Sequence, residues 1–388
     1  MEISACVKYV GVNDHQVDLF EGQYKVPNGM SYNSYVILDD KIAIMDTVDG
    51  FFTEEWLNNV EQVLDGKMPD YLVIQHMEPD HSASIPAFLK KYPKVTVVST
   101  AKGFQFMEQF FPEFFAEQGL PAEQRIVAAN DGVLELGQHS LHFVYAPMVH
   151  WPEVMMTYEA TEKILFAADG FGKFGALDVE EEWADEARRY YIGIVGKYGP
   201  QVQAVLKKAA GLDIQTICSL HGPVLKENLG FYLEKYDKWS SYQPEESGVV
   251  IAYASVYGNT RNAAEYLADV LQEKGQKTVL YDLARCDKAK AVADAFRYDR
   301  LVLAGITYNG DLFPCMRSFI EGLTERNYQN RKVAIIENGT WAPMAGKLIL
   351  GMFEKSKNLT FTETTVSIKS AMNAQNKGEI GKLAEELC

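Results

Sequence analysis

Between residues 248 and 387 the chain alternates short apolar runs with amphipathic helical patterns, and this alternation restricts the fold more than any other feature. Strand-like runs fall at 248–253, 278–283, 300–306, 332–337 and 360–368. Helical patterns separate them at 261–274, 288–296, 316–325 and 344–355, and a last one covers 377–387. Strands joined through helices do not pair as hairpins. They predict an open, doubly wound parallel sheet covered on both faces, an α/β domain. Ligands of such sheets bind beyond the carboxyl ends of the strands, so function is sought there.

The first half is patterned differently. Consecutive strand-like runs lie at 34–38, 41–46, 72–75, 95–99, 141–145 and 163–167, with helical patterns at 54–64 and 103–111. This mixture predicts an α+β domain built as an αββα sandwich. A polar stretch, Ser-Ser-Tyr-Gln-Pro-Glu-Glu-Ser-Gly at 240–248, separates the halves. The expected division is therefore 1–246 and 247–388, two domains of ordinary size in a chain of 388 residues.

Charge and cysteine usage exclude several function classes. A net charge of −16 repels nucleic acid and anionic lipid. No apolar run is long enough for a membrane span, and the first residues lack a basic start and apolar core of a secretion signal. Cys6, Cys218, Cys286, Cys315 and Cys388 are scattered and form no CxxC pair. That spacing fits a reducing cytoplasm without a disulfide framework.

The richest segment is Tyr-Leu-Val-Ile-Gln-His-Met-Glu-Pro-Asp-His at 71–81. An apolar strand is followed at once by four potential metal ligands: His76, Glu78, Asp80 and His81. Residues 76, 78 and 80 alternate, so an extended segment would present them on one side. Asp80 and His81 sit where the chain turns into the next helix, so one loop could serve two adjacent cations. His150, Asp169 and His221 each follow an apolar run in the same way, and the four histidines are drawn from seven in the chain. Imidazole and carboxylate without thiolate suit iron or manganese better than structural zinc, although zinc accepts the same groups.

The second half offers a different site. Ala-Ser-Val-Tyr-Gly-Asn-Thr at 254–260 ends the first strand and opens a helix. Its small and hydroxyl residues, with the helix N-terminus, can hold a phosphate by hydrogen bonds. The loop carries no GxxxxGK[ST], so it is no nucleoside-triphosphate loop. Two later strand ends, 305–310 and 337–342, bring the aromatics Tyr308 and Trp341, which could pack on a flat ring.

His-Met-Glu-Pro-Asp-His at 76–81 resembles the HxExDH motif of flavodiiron proteins, whose metal domain has the metallo-β-lactamase fold. Hydrolases of that fold typically carry HxHxDH, so Glu78 discriminates against the rival expectation, a metallo-β-lactamase-fold hydrolase with an attached flavodoxin-like domain. His150 in Ala-Pro-Met-Val-His-Trp-Pro-Glu, Asp169 in Leu-Phe-Ala-Ala-Asp-Gly-Phe-Gly and His221 in Ser-Leu-His-Gly-Pro-Val match the remaining family ligands in order. The loop at 255–260 looks like the flavodoxin phosphate loop, fused behind the metal domain as in that family. Residues 19–24, 29–35 and 188–192 also look like family segments, so the resemblance spans nearly the whole chain.

The resemblance implies a metallo-β-lactamase-like diiron domain followed by a flavodoxin-like domain binding flavin mononucleotide (FMN). His76, Glu78 and His150 would hold one iron, Asp80, His81 and His221 the other, and Asp169 would bridge them. Ser255, Tyr257, Gly258, Asn259 and Thr260 would bind the FMN phosphate. Thr307, Tyr308, Asn309, Asn338, Gly339 and Trp341 would face the ribityl chain or the ring. The implied activity is reduction of dioxygen to water or of nitric oxide to nitrous oxide, with electrons from a rubredoxin-like donor. The implied assembly is a head-to-tail homodimer or a dimer of such dimers, of the minimal two-domain type. Tyr24, Tyr190 and Tyr191 are candidates for tuning the metal pocket.

Overall fold

The computed structural model describes residues 3–388. It separates into two compact units, one comprising residues 1–190 and 200–236, the other 191–199 and 237–388.

Two sheets face each other in the first unit. One has six strands in the order Val7–Tyr9, Tyr35–Ile37, Ala43–Met45, Tyr71–Val73, Thr96–Ser99 and Arg125–Val127. The other has five, Val133–Glu135, Ser140–Tyr145, Met155–Glu159, Ile164–Phe166 and Thr216–Cys218. Alternate side chains fill the space between them. Tyr35, Ile37, Met45 and Val73 from one sheet meet Leu141, Phe143, Met155 and Phe166 from the other. The amphipathic helix Thr53–Leu64 turns Trp56, Val60 and Leu64 inward, and Trp56 meets Phe88 of the helix Ile85–Lys91 at 5.4 Å. This is the expected αββα sandwich. Several of its strands, among them Val7–Tyr9 and Arg125–Val127, are too short to register as apolar runs.

The second unit holds the expected parallel sheet, in the order Thr278–Asp282, Glu246–Tyr253, Tyr298–Tyr308, Arg331–Asn338 and Leu359–Ile368. Helices Asn259–Glu273 and Ala374–Glu386 bury Ala263, Leu267, Leu271, Ile380 and Leu383 against it. A two-residue strand, Asp311–Leu312, turns back antiparallel on the third strand.

Hydrogen bonds, most of them buried, also tie residues before 246 to this unit. Arg331 donates to the carbonyl of Tyr242 at 2.7 Å, the Tyr242 hydroxyl donates to the carbonyl of Gly196, and the Asn327 amide donates to the carbonyl of Lys197. Such pairing of buried polar groups is obligatory, and composition does not reveal it. Among the described residues no helix is long and apolar enough to cross a membrane.

Candidate functional site

The strand Tyr71–Val73 ends in a loop that Asp46 anchors, since its carboxylate accepts Gln75 N–H at 2.7 Å and the Gln75 amide at 2.8 Å. Burial nevertheless pushes the Asp46 carboxyl up to about 6. Glu78 is extended, with φ −60° and ψ 139°, and Pro79 then starts the short helix Pro79–Ser82. Proline at the first helical position suits its fixed φ. This turn corrects one expectation. Residues 76, 78 and 80 do not share one side, because helix formation after Glu78 swings Asp80 away together with His81.

Two ligand groups result. His76, Glu78, His150 and Asp169 bring one donor atom each within 4.8 Å of one another, and so do Asp80, His81 and His221. Glu78 Oε2 lies 3.3 Å from His76 Nε2 and 3.1 Å from His150 Nε2. Asp169 spans both groups. Its Oδ2 is 3.2 Å from His150 Nε2 and 3.5 Å from His76 Nε2, whereas its Oδ1 is 3.3 Å from His81 Nε2. Asp80 Oδ2 stands 3.3 Å from the Nε2 of both His81 and His221. All seven candidate ligands named from the sequence therefore converge at the ends of different strands.

Residues that sequence reading did not single out orient these rings. His76 Nδ1 donates to Glu153 Oε1 at 2.7 Å, and His221 Nδ1 donates to the carbonyl of Ser31 at 2.7 Å. Each bond leaves Nε2 as the free ligand atom, the usual arrangement behind a metal-bound histidine. Glu153 also accepts Met77 N–H, and Asn33 braces the His221 loop by donating to the carbonyls of Ser219 and Gly222. Glu153, three residues after His150, was a detectable signal; Ser31 acts through its backbone and leaves none. Tyr190, Phe20 and Tyr32 pack at 5.4, 5.5 and 6.0 Å from the His221 ring. Of the tyrosines considered for tuning, Tyr190 thus reaches the site. Tyr24 packs behind it, tilted against Phe174, and Tyr191 belongs to the second unit.

The electrostatics are those of a cation site. Burial opposes charge on Asp169, yet His76, His150 and His81 hold its carboxyl well below the usual range. Burial likewise opposes charge on His150, and the Asp169 and Glu78 carboxylates beside it outweigh that cost, pushing the imidazole up to about 9. Both oxygens of Asp80 and of Asp169 are buried without a hydrogen-bond donor among the described residues. His81 Nε2 and His221 Nε2 face each other at 3.1 Å, where two acceptors would repel. Unpaired buried carboxylates are costly. A divalent cation in each group removes every one of these conflicts, and donors about 3 Å apart are the polyhedron edges around an ion bonded at about 2.0–2.2 Å. The donor set contains no thiolate, which favours iron or manganese.

The second unit carries a separate cavity of about 420 Å³ at the strand ends. Ser255, Tyr257, Asn259, Thr260, Thr307, Tyr308, Asn309, Asn338, Gly339 and Trp341 all line it. Gly258 does not. It supports the loop instead, with φ +90° and its N–H donating to Ser255 Oγ at 3.1 Å. Ser370 and Met344 also line the cavity and were not anticipated. Ser370 follows the fifth strand, and its N–H donates to Asn338 Oδ1. Tyr257 is 93% exposed and Trp341 90%. Two aromatic faces bared beside a polar phosphate-type loop suit a flat ring ligand with a phosphate tail.

Comparison with known proteins agrees with this anatomy. The family described as ODP family beta lactamase matches residues 30–222, and a flavodoxin domain matches residues 250–357. The anaerobic nitric oxide reductase flavorubredoxin of Vibrio vulnificus is 27% identical over 385 residues, covering 96% of this chain and 75% of that protein. Diflavin flavoprotein A 1 of Synechocystis is 33% identical over 282 residues, and the match spans 71% of this chain but only 48% of that longer protein. The crystal structure of the flavodiiron protein from Giardia intestinalis superposes with a TM-score of 0.90 at 25% identity, covering 100% of this chain and 96% of that one.

Proposed function

We propose, for a chain that belongs to the flavodiiron protein family, that it reduces dioxygen, nitric oxide or both, using a diiron centre in the first unit and FMN in the second. The observation that carries this reading is Asp169, whose two oxygens turn toward two different histidine groups. When bound, the irons would bind and polarise a diatomic gas and the flavin would supply electrons.

The chain's own residues do the rest. When bound, one iron would be held by His76, Glu78 and His150 and the other by Asp80, His81 and His221, with the Asp169 carboxylate turned toward both groups. Glu153 and the Ser31 carbonyl fix the His76 and His221 rings, so the site is preorganised. Tyr190, Phe20 and Tyr32 form an aromatic wall that excludes water beside His221. Burial, reinforced by the Asp169 carboxylate, holds the Tyr190 hydroxyl well above its ordinary range, so it keeps its proton. In the second unit, Ser255, Asn259 and Thr260 would receive the FMN phosphate, helped by the left-handed turn at Gly258. Asn338 links Thr260 and Ser370 across the cavity, and Tyr308 and Trp341 flank the ring.

The reading extends to a metal domain at 1–246 and an FMN domain at 247–388, a rubredoxin-type donor, a cytoplasmic location, and a head-to-tail homodimer or dimer of dimers. The flavorubredoxin relatives and the family resemblance support these. Glu78 in place of a histidine, and the cavity at 255–260, weigh against a hydrolase.

The test is anaerobic reconstitution with ferrous iron and FMN, quantification of both, and turnover of the prereduced protein with each gas. Iron at two per chain with rapid gas consumption is the expected result. A colourless, zinc-loaded protein that consumes neither gas when metal-replete overturns the reading and restores the hydrolase.

A further inference from the structure

Cys6, His139 and Glu162 meet at the end of the sandwich opposite the His76 cluster. Cys6 immediately precedes the strand Val7–Tyr9. His139 precedes Ser140–Tyr145, whose far end leads to His150, and Glu162 precedes Ile164–Phe166, whose far end leads to Asp169. One donor atom from each of the three lies within 4.8 Å of the others.

The surroundings hold these groups in place. The His139 ring is 6% exposed, and its Nδ1 donates to Asp39 Oδ2 at 2.8 Å. Asp39 also accepts His139 N–H at 2.7 Å. Nε2 is thereby turned toward Glu162 Oε1, at 3.5 Å, longer than a normal N–H···O hydrogen bond. The Glu159 carboxylate accepts the N–H groups of Thr161 and Glu162, both at 2.7 Å, and locks the turn that carries Glu162. Ser4 Oγ accepts the N–H groups of Cys6 and Val7. A carboxylate behind a histidine, with thiol and carboxylate before it, is the arrangement of a metal-bound imidazole.

We infer that Cys6 Sγ, His139 Nε2 and Glu162 Oε1 bind a thiophilic divalent cation, Zn²⁺ in the first instance, with Asp39 positioning the imidazole. A tetrahedral zinc with bonds of about 2.0–2.3 Å separates its donors by roughly 3.3–3.8 Å, and water completes the fourth position. The thiolate distinguishes this site from the carboxylate-rich centre at the other end and selects zinc over ferrous iron. Cys6 and Asp39 flank strands of one sheet, and His139 and Glu162 flank strands of the other, so the ion staples the two sheets together.

The experiment uses iron- and FMN-loaded protein, stripped of loosely held metal and kept reduced. It is titrated with Zn²⁺ by calorimetry and with Co²⁺ by the thiolate-to-cobalt absorption. The expected result is one equivalent of Zn²⁺ per chain beyond the iron, and a cobalt–thiolate band, both lost in Cys6→Ser. Asp39→Asn should weaken binding about 10- to 100-fold, while iron, FMN and gas turnover stay unchanged. Glu162→Gln, on a partly exposed turn, provides a second variant whose folding is not in question. Absence of stoichiometric Zn²⁺ binding in the unsubstituted protein, or binding left intact by both Cys6→Ser and Glu162→Gln, overturns the inference.

Discussion

The metal centre and the flavin cavity solve opposite problems. In the first unit, His76, His81, His221 and Asp169 are almost wholly buried, and carboxylate oxygens there have no hydrogen-bond donor among the described residues. In the second, several polar groups of the cavity already bond one another: Thr307 Oγ1 accepts the N–H groups of Met344 and Ala345, and Asn338 bonds Thr260 and Ser370. What stands uncovered there is aromatic surface at Tyr257 and Trp341. One site is electrostatically incomplete without its ligand; the other is complete but bare. The first should therefore depend steeply on its ligand and tolerate no loss of a donor, and the second should lose affinity in small steps.

Asp169→Ala offers the sharpest test of that contrast. It removes the side chain common to both ligand groups, so gas turnover should fall by about 10³-fold or more, with iron content falling alongside. Full turnover in this variant would reduce the first unit to a scaffold. Removing iron by chelation comes next. The buried carboxylates lose their counter-charge, so the first unit should lose about 4 kcal/mol of stability if iron had been present near a thousandfold excess over its dissociation constant. Calorimetry should show its unfolding transition move down while FMN remains bound. Equal shifts in both units would break the comparison.

Glu153→Gln should be milder, weakening iron affinity about 10- to 100-fold by loosening His76, with FMN affinity unchanged. Metal titration of the variant checks this. In the second unit, Gly258→Ala meets only the Arg261 guanidinium, at an ordinary 3.7 Å, but must adopt φ +90°. The strain of about 1–2 kcal/mol should weaken FMN binding about tenfold and leave iron untouched. Trp341→Ala should have the smallest effect, about 0.5–1.5 kcal/mol in FMN affinity, read by flavin fluorescence. A larger loss than that of Gly258→Ala would place most of the binding in the ring and not in the phosphate loop.

Legibility in the sequence followed the range of the signal. The parallel sheet of the second unit was visible because each strand and helix is long enough to show its own period. The sandwich was visible only in part, since strands of three residues, such as Val7–Tyr9 and Arg125–Val127, carry no period of their own. Four candidate ligands at 76–81 stood out because they crowd one loop. The bend at Pro79 that sends Asp80 and His81 away from Glu78 did not, since alternation assumes an extended backbone and the helix starts inside the motif. Glu153 and Ser370 went unnoticed because single polar residues near strand ends are common.

By itself the sequence determined the order of the two units, the kinds of donor atom in each site, and the strand ends that present them. Those properties are local, set by side-chain chemistry and by periodicities of two and 3.6. Tertiary structure alone decided which donors meet. Asp169 faces His81 across 88 residues of chain, and His76 is oriented by a carboxylate 77 residues away. Cys6 reaches His139 and Glu162 only because two sheets close on one core. Packing brings such groups together, because burying the apolar faces fixes where every strand end comes to rest, and no local pattern encodes that distance.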